Sequence, residues 1–235
     1  MRAASVTPLL LVLSAVSAPL AAQRRELAVI AGGNYSSASG GRIDHAEAHL
    51  GFQGGLSLRL PRSPMLSFQI DFLLVQRRFF AARAPSTLPS SQVGPRSDAP
   101  NLLFAQVPLL LRFQKGYSTE RPIRPYFVAG PFFAFRLHCR RTLTEASGGV
   151  SHPDCSVAPV DRPVSTDPFF PALFEDLDVG VLGEVGVQIK RFSLGLRGEK
   201  SIRNLVDQGS LPTSPLDRSK LWSASISVGY LVRVL

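Results

Sequence analysis

Eight polar residues, Arg59, Gln69, Asp71, Gln106, Arg112, Glu184, Arg197 and Glu199, carry the candidate chemistry of this chain. Asp71 and Glu184 are carboxylates, and two carboxylates can divide acid and base work between them when their surroundings push their ionisation apart. No nucleophile motif, phosphate-binding loop or metal-ligand spacing accompanies the pair. Three of the eight are arginines, and a carboxylate shut away from water is costly unless a guanidinium or several donors hold it. The set therefore reads as a network of buried salt bridges in a protein that is not an enzyme. A proton or ion path is a lesser use of the same residues.

Two further groups could do chemistry. Cys139 and Cys155 are the only cysteines, and in an exported chain a disulfide across residues 140–154 would contribute roughly 3 kcal/mol against the reduced unfolded state. His138, Cys139, His152 and Cys155 have the right types for zinc. Adjacent His138 and Cys139 are poorly spaced for one ion, however, and an oxidising compartment favours the disulfide. No metal or cofactor is expected. Arg77, Arg78 and Arg83 form a basic cluster able to hold lipid phosphates, with a solvated rim as the plain alternative. His45 and His49 read as solvated.

The elements that must position these groups are strands. In residues 65–79, Phe68, Ile70, Phe72 and Leu74 alternate with Ser67, Gln69 and Asp71, which gives one apolar and one polar face. The same alternation marks strands over residues 27–35, 48–60, 102–113, 126–137, 178–190, 192–201 and 221–234. Their connections run long, short, long, short, long, short, long. That ordering is the signature of an up-and-down barrel in an outer membrane, with short periplasmic turns and longer external loops. The smaller polar set fills a narrow lumen, and the apolar set faces lipid. Tyr35, Tyr126, Trp222 and Tyr230 lie near strand ends, where an aromatic girdle belongs. Pro108 and Pro131 fall inside two strands and predict edge positions or bulges, since proline cannot donate to a ladder.

Arg2, the apolar run Leu9 to Val16 and small residues up to Ala22 read as a secretory signal over residues 1–22, followed by a single barrel domain over 23–235. The apolar run is too short to cross a bilayer as a helix. Formal charge is +9, one unit of it from Arg2 in the leader. The basic excess is scattered, and an exported chain does not meet nucleic acid. Outer-membrane lipid, with lipopolysaccharide among the candidates, suits it better.

Several segments carry a family resemblance. FAQVPLLLRF at 104–113, RPYFVAGPFFAF at 124–135 and DVGVLGEVGVQI at 178–189 resemble the outer-membrane β-barrel domain family of the PorT type. AVIAGGNYS at 28–36, GFQGGLSLRLP at 51–61 and LSFQIDFLLVQR at 66–77 follow in the same order. The resemblance implies an all-β, eight-stranded antiparallel transmembrane barrel in the cell envelope, without enzymatic activity. Its role would be structural or interaction-based, through long external loops that meet an unidentified protein partner. The alternatives are a narrow channel or export-apparatus component, and a soluble lipocalin-like carrier whose apolar faces turn inward.

Overall fold

The computed structural model describes residues 25–39, 45–82, 97–114, 123–144, 150–151, 176–204 and 219–233. Within these lie β1 (Glu26–Ser39), β2 (His45–Pro61), β3 (Leu66–Ala82), β4 (Ser97–Gln114), β5 (Ile123–Thr144), β6 (Val150–Ser151), β7 (Leu177–Ile189), β8 (Phe192–Ser201) and β9 (Lys220–Arg233). All neighbours are antiparallel, in the order β4-β3-β2-β1-β9-β8-β7-β5, and a β4–β5 pairing closes the ring. Eight long strands make the barrel. The two-residue β6 pairs only with the end of β5.

Closure leaves the sheet two surfaces. Along β8, Ser193, Gly195, Arg197, Glu199 and Ser201 are buried while Phe192, Leu194 and Leu196 are exposed. On β9 the same split buries Ser223, Ser225 and Ser227 and exposes Ile226, Val228, Tyr230 and Val232. The apolar side chains thus face outward, which excludes the lipocalin-like arrangement. From Phe113 to Leu103 along β4 the outward residues are apolar, and a strand rise of roughly 3.4 Å with a tilt near 40° gives a belt about 25 Å tall. That height matches a bilayer's hydrocarbon core.

Several strand boundaries depart from the alternation read in sequence. β1 and β2 run further than expected and leave only residues 40–44 between them, so the first connection is short. β5 continues through Thr144 into a segment expected to be loop, and a register shift opposite Leu103 and Phe104 changes its parity so that Cys139 turns inward. β3 likewise reaches Ala82.

The two prolines sit in central strands of a closed ring, not at edges. The β3–β4 ladder skips Val107 and Pro108 opposite Asp71 and Phe72, and the β4–β5 ladder skips Leu109 and Leu110 opposite Gly130 and Pro131. The missing donors are absorbed by local gaps in pairing. Gly130 permits the approach there, since a Cβ at that position would lie 2.1 Å from the Leu109 carbonyl oxygen.

A second irregularity lies on β2, where the register shifts between His49 and Gln53. Leu50 is 72% exposed, and β1 reaches past β2 to β3. The Asn34 side-chain amide donates to the Gln76 carbonyl at 2.9 Å. Ser36 Oγ both donates to the Arg78 carbonyl and accepts from the Arg78 amide, each at 2.9 Å. Two side chains therefore replace the backbone pairing that the β2 bulge gives up.

Candidate functional site

The inward faces bury four arginines and four carboxylates among the described residues: Arg59, Arg77, Arg112 and Arg197 with Asp71, Asp178, Glu184 and Glu199. Their formal charges cancel. Each is placed by the two-residue period of its strand, which sends every second side chain into the lumen. They form three tiers from the loop end to the turn end.

At the loop end Arg77 of β3 reaches across the barrel. Its Nη1 donates to Asp178 Oδ2 at 2.7 Å, and its Nη2 donates to Glu199 Oε2 at 2.9 Å. Gln106 accepts from Arg77 Nη2 and donates to Glu199 Oε1. Ser201 donates to Asp178 and Ser223 to Glu199. The Arg77 guanidinium also lies 5.2 Å from the Phe104 ring centre and 5.4 Å from that of Phe132.

The middle tier is built on Arg197 of β8. Its Nε donates to Glu184 Oε2 at 2.7 Å and its Nη2 to Asp71 Oδ2 at 2.8 Å. Gln69 donates to the other Asp71 oxygen, and Tyr126 donates its hydroxyl proton to Glu184 Oε1 at 2.7 Å. Both carboxylates are thus held by charge-assisted hydrogen bonds, the strong kind.

At the turn end Arg112 is held by neutral acceptors, the side-chain carbonyls of Gln114, Gln69 and Gln188. Its guanidinium stacks 3.7 Å above the Tyr126 ring. Arg59 donates to Gln188 as well. The tiers differ in make-up: each of the upper two has one arginine for two carboxylates, while the lowest holds two arginines, with the half-buried Glu26 of β1 opposite Arg59 in the ladder. Arg59 Nε, Arg77 Nε and Arg197 Nη1 are buried without a hydrogen-bond partner.

All eight residues singled out from the sequence as a polar network lie in this lumen. They join as donors and acceptors across strands distant in the chain. Asp71 and Glu184 do meet, but through Arg197, and both are buried.

Arg77 is a correction. It does not belong to a lipid-phosphate cluster at the rim, because counting by two from Asp71 puts it inward, where it is 1% exposed. Arg78 faces outward, and Arg83 lies outside the described residues. Tyr126 is a second correction, since it is an inward partner of Glu184 and Arg112 and not a girdle residue. Tyr35 and Tyr230 do face outward, Tyr230 against Phe192. Sequence reasoning missed Asp178, Gln114 and Gln188 as network members. The period from Glu184 back to residue 178, and from Arg112 on to residue 114, was the available signal.

Cys139 is buried on β5 and is not a free thiol. Cys155, His152 and His45 lie outside the residues whose side chains are described, while His138 and His49 are exposed. Among the described residues no cluster of histidine, cysteine or acidic side chains could hold a metal ion.

Residues 19–207 match the family model described as outer membrane protein beta-barrel domain. The chain belongs to this family. As a member it is an outer-membrane β-barrel, and the closed ring of eight strands agrees. Curated proteins provide no match. Among solved structures the barrel is similar to OprG of Pseudomonas aeruginosa, at 12% identity with 90% of this chain and 98% of that one covered and a TM-score of 0.47. It is also similar to Ail, the attachment invasion locus protein of Yersinia pestis, in complex with the heparin analogue sucrose octasulfate. There the identity is 12%, the coverage 89% and 99%, and the TM-score 0.40. The outer membrane enzyme PagL is a third, at 11% identity, 84% and 98% coverage and a TM-score of 0.37.

Proposed function

We propose that this outer-membrane barrel is a non-conducting, non-enzymatic scaffold whose work is structural or interaction-based and is done by its long connections on the cell surface. The observation that carries the reading is the filled lumen. Arg77, Arg112 and Arg197 are each no more than 1% exposed, and their partners close the bore at three levels. An eight-stranded barrel has an interior just wide enough for its own side chains. A solute would have to break several charge-assisted hydrogen bonds to pass. What remains for contact with other molecules is the outward belt and the connections at residues 83–96, 145–176 and 202–219.

The finer assignments follow the same reading. Residues 1–22 act as a cleaved export signal, the barrel is of the PorT type, and Cys139 pairs with Cys155 to brace the largest connection. The partners are outer-membrane lipid and a protein met at the surface loops.

Single-channel recording in planar bilayers tests the reading, on protein whose folded state is shown by a gel-mobility shift on boiling. The expected result is a mobility shift with no conductance step. Discrete steps from wild-type protein would overturn the scaffold and make the narrow channel the better account.

A further inference from the structure

The geometry points to a binding site for the phosphorylated headgroup of an outer-leaflet glycolipid on the outward rim of β2 to β5, formed by Arg78, Asn101, Arg140, His138 and His49. The register sets these residues side by side. His49 pairs with Arg78, Arg78 with Asn101, and Asn101 with Arg140, while His138 stands opposite Leu103 in the neighbouring pair. Between them Arg77, Phe79, Leu102 and Cys139 are buried, so the row itself points outward. Arg78, His138, Arg140 and His49 are exposed.

Directly opposed side chains on adjacent strands lie about 5 Å apart at Cβ, and strands two apart lie about 10 Å apart. Arg78 and Arg140 therefore flank Asn101 at a distance that one or two phosphates can bridge. Among the described residues no carboxylate forms an ion pair with Arg78, His138 or Arg140. Glu47, the acidic side chain further along β2, sits two residues nearer the loops than His49. Two guanidiniums that form no ion pair among the described residues repel each other at a membrane edge, and an anion between them relieves that repulsion while accepting forked hydrogen bonds.

Height selects the occupant. Below the row Gln76 on β3 donates to the Asn101 side chain at 2.9 Å, and Leu103 on β4, Leu137 on β5 and then Leu74 on β3 form the top of the apolar belt. Leu50 and Phe52, pushed out by the β2 bulge, are 72% and 53% exposed beside it. A ligand with phosphates at the level of Arg78 and acyl chains running down over these side chains fits both parts of the surface. A soluble polyanion would use only the upper part.

The site rests on the reading that the long connections lie outside the cell. Labelling of an epitope placed in residues 83–96 on intact cells tests that orientation separately. The site is tested by titrating fluorescent lipopolysaccharide into the full chain folded in zwitterionic detergent. The comparisons are the Arg78→Gln/Arg140→Gln double variant and an Arg62→Gln/Lys200→Gln control, with the boiling-dependent mobility shift showing that each is folded. The double variant is expected to bind at least about tenfold more weakly and the control as wild type. Lipopolysaccharide stripped of its phosphates is expected to lose affinity by a similar factor, and heparin to bind no more tightly than the stripped lipid. Unchanged affinity in the folded double variant, equal binding of stripped lipid, or tighter binding of heparin would each overturn the proposal.

Discussion

Arg197 and Glu184 are direct partners in the β7–β8 ladder, and their side chains meet inside the barrel at 2.7 Å with neither more than 5% exposed. The same guanidinium holds Asp71 from the far wall of the lumen. One arginine therefore ties β3 to β7 and β8 across the bore. Removing it leaves two buried carboxylates with only Gln69 and Tyr126 as donors. Arg197→Met should cost about 3–5 kcal/mol, the usual penalty for breaking a buried ion pair from one side. Removing the three charges together, with Asp71→Leu and Glu184→Leu added, should recover much of that loss. Urea titration of the protein in lipid vesicles, read by the folded gel band, checks both. A single variant as stable as wild type would show that the tier is not structural.

The β2 bulge makes a sharper steric claim. A Cβ on Gly51 would lie 2.2 Å from the Gln76 carbonyl oxygen and 2.7 Å from Asn34 Oδ1. Those two atoms belong to the side-chain bridge between β1 and β3. Gly51→Ala must push β2 away or break the Asn34 bond, and a loss of about 1–3 kcal/mol follows from forced overpacking. Hydrogen exchange on the β1 and β3 amides in detergent should show the loss as faster exchange at Arg78, whose amide donates to Ser36 Oγ.

The outward belt predicts a depth-dependent penalty. Leu196 lies between Val185 and Ile226, all exposed to the membrane and far from either rim of β8. Leu196→Arg should cost about 2–4 kcal/mol, whereas an arginine at an interface costs roughly 0–1 kcal/mol. Leu50→Arg, beside the basic rim, is the interfacial comparison. Reversible folding into vesicles measures the difference, and equal penalties at the two positions would place the belt elsewhere.

Most of the barrel was legible because its code is a period of two. Phe68 to Leu74 and Phe192 to Ser201 can be assigned to inner and outer faces by alternation alone, and the polar network follows by counting. What failed was local. The alternation cannot say where a strand stops, so β1, β2 and β5 outran their readings and turned an expected loop into ladder. Nor can it foresee that a bulge at residues 50–52 would be bridged by Asn34 and Ser36, since that depends on β1 and β3 meeting in space. Pro108 and Pro131 looked like obstacles only because pairing gaps are invisible in sequence. Tyr126 was misassigned because proximity to a strand end was weighed above its parity with Val128.

Arg77 and Arg78 are adjacent in the chain and opposite in environment, which gives a test with two readouts. Arg77 is 1% exposed, bonded to Asp178 and Glu199 and flanked by two phenylalanine rings, so Arg77→Gln removes a buried cation from two carboxylates. The folded band should then be lost at lower urea, with a destabilisation of about 3–5 kcal/mol, while lipopolysaccharide affinity measured on the surviving folded protein stays near wild type. Arg78 makes its hydrogen bonds to Ser36 through backbone atoms, and its guanidinium is outside. Arg78→Gln should leave urea stability within about 0.5 kcal/mol, as exposed substitutions do, and weaken lipid binding. A cross-over of the two effects requires that the strand parity be as described. If both variants lost stability alike and bound lipid alike, the inward and outward assignment of β3 at the loop end would be wrong.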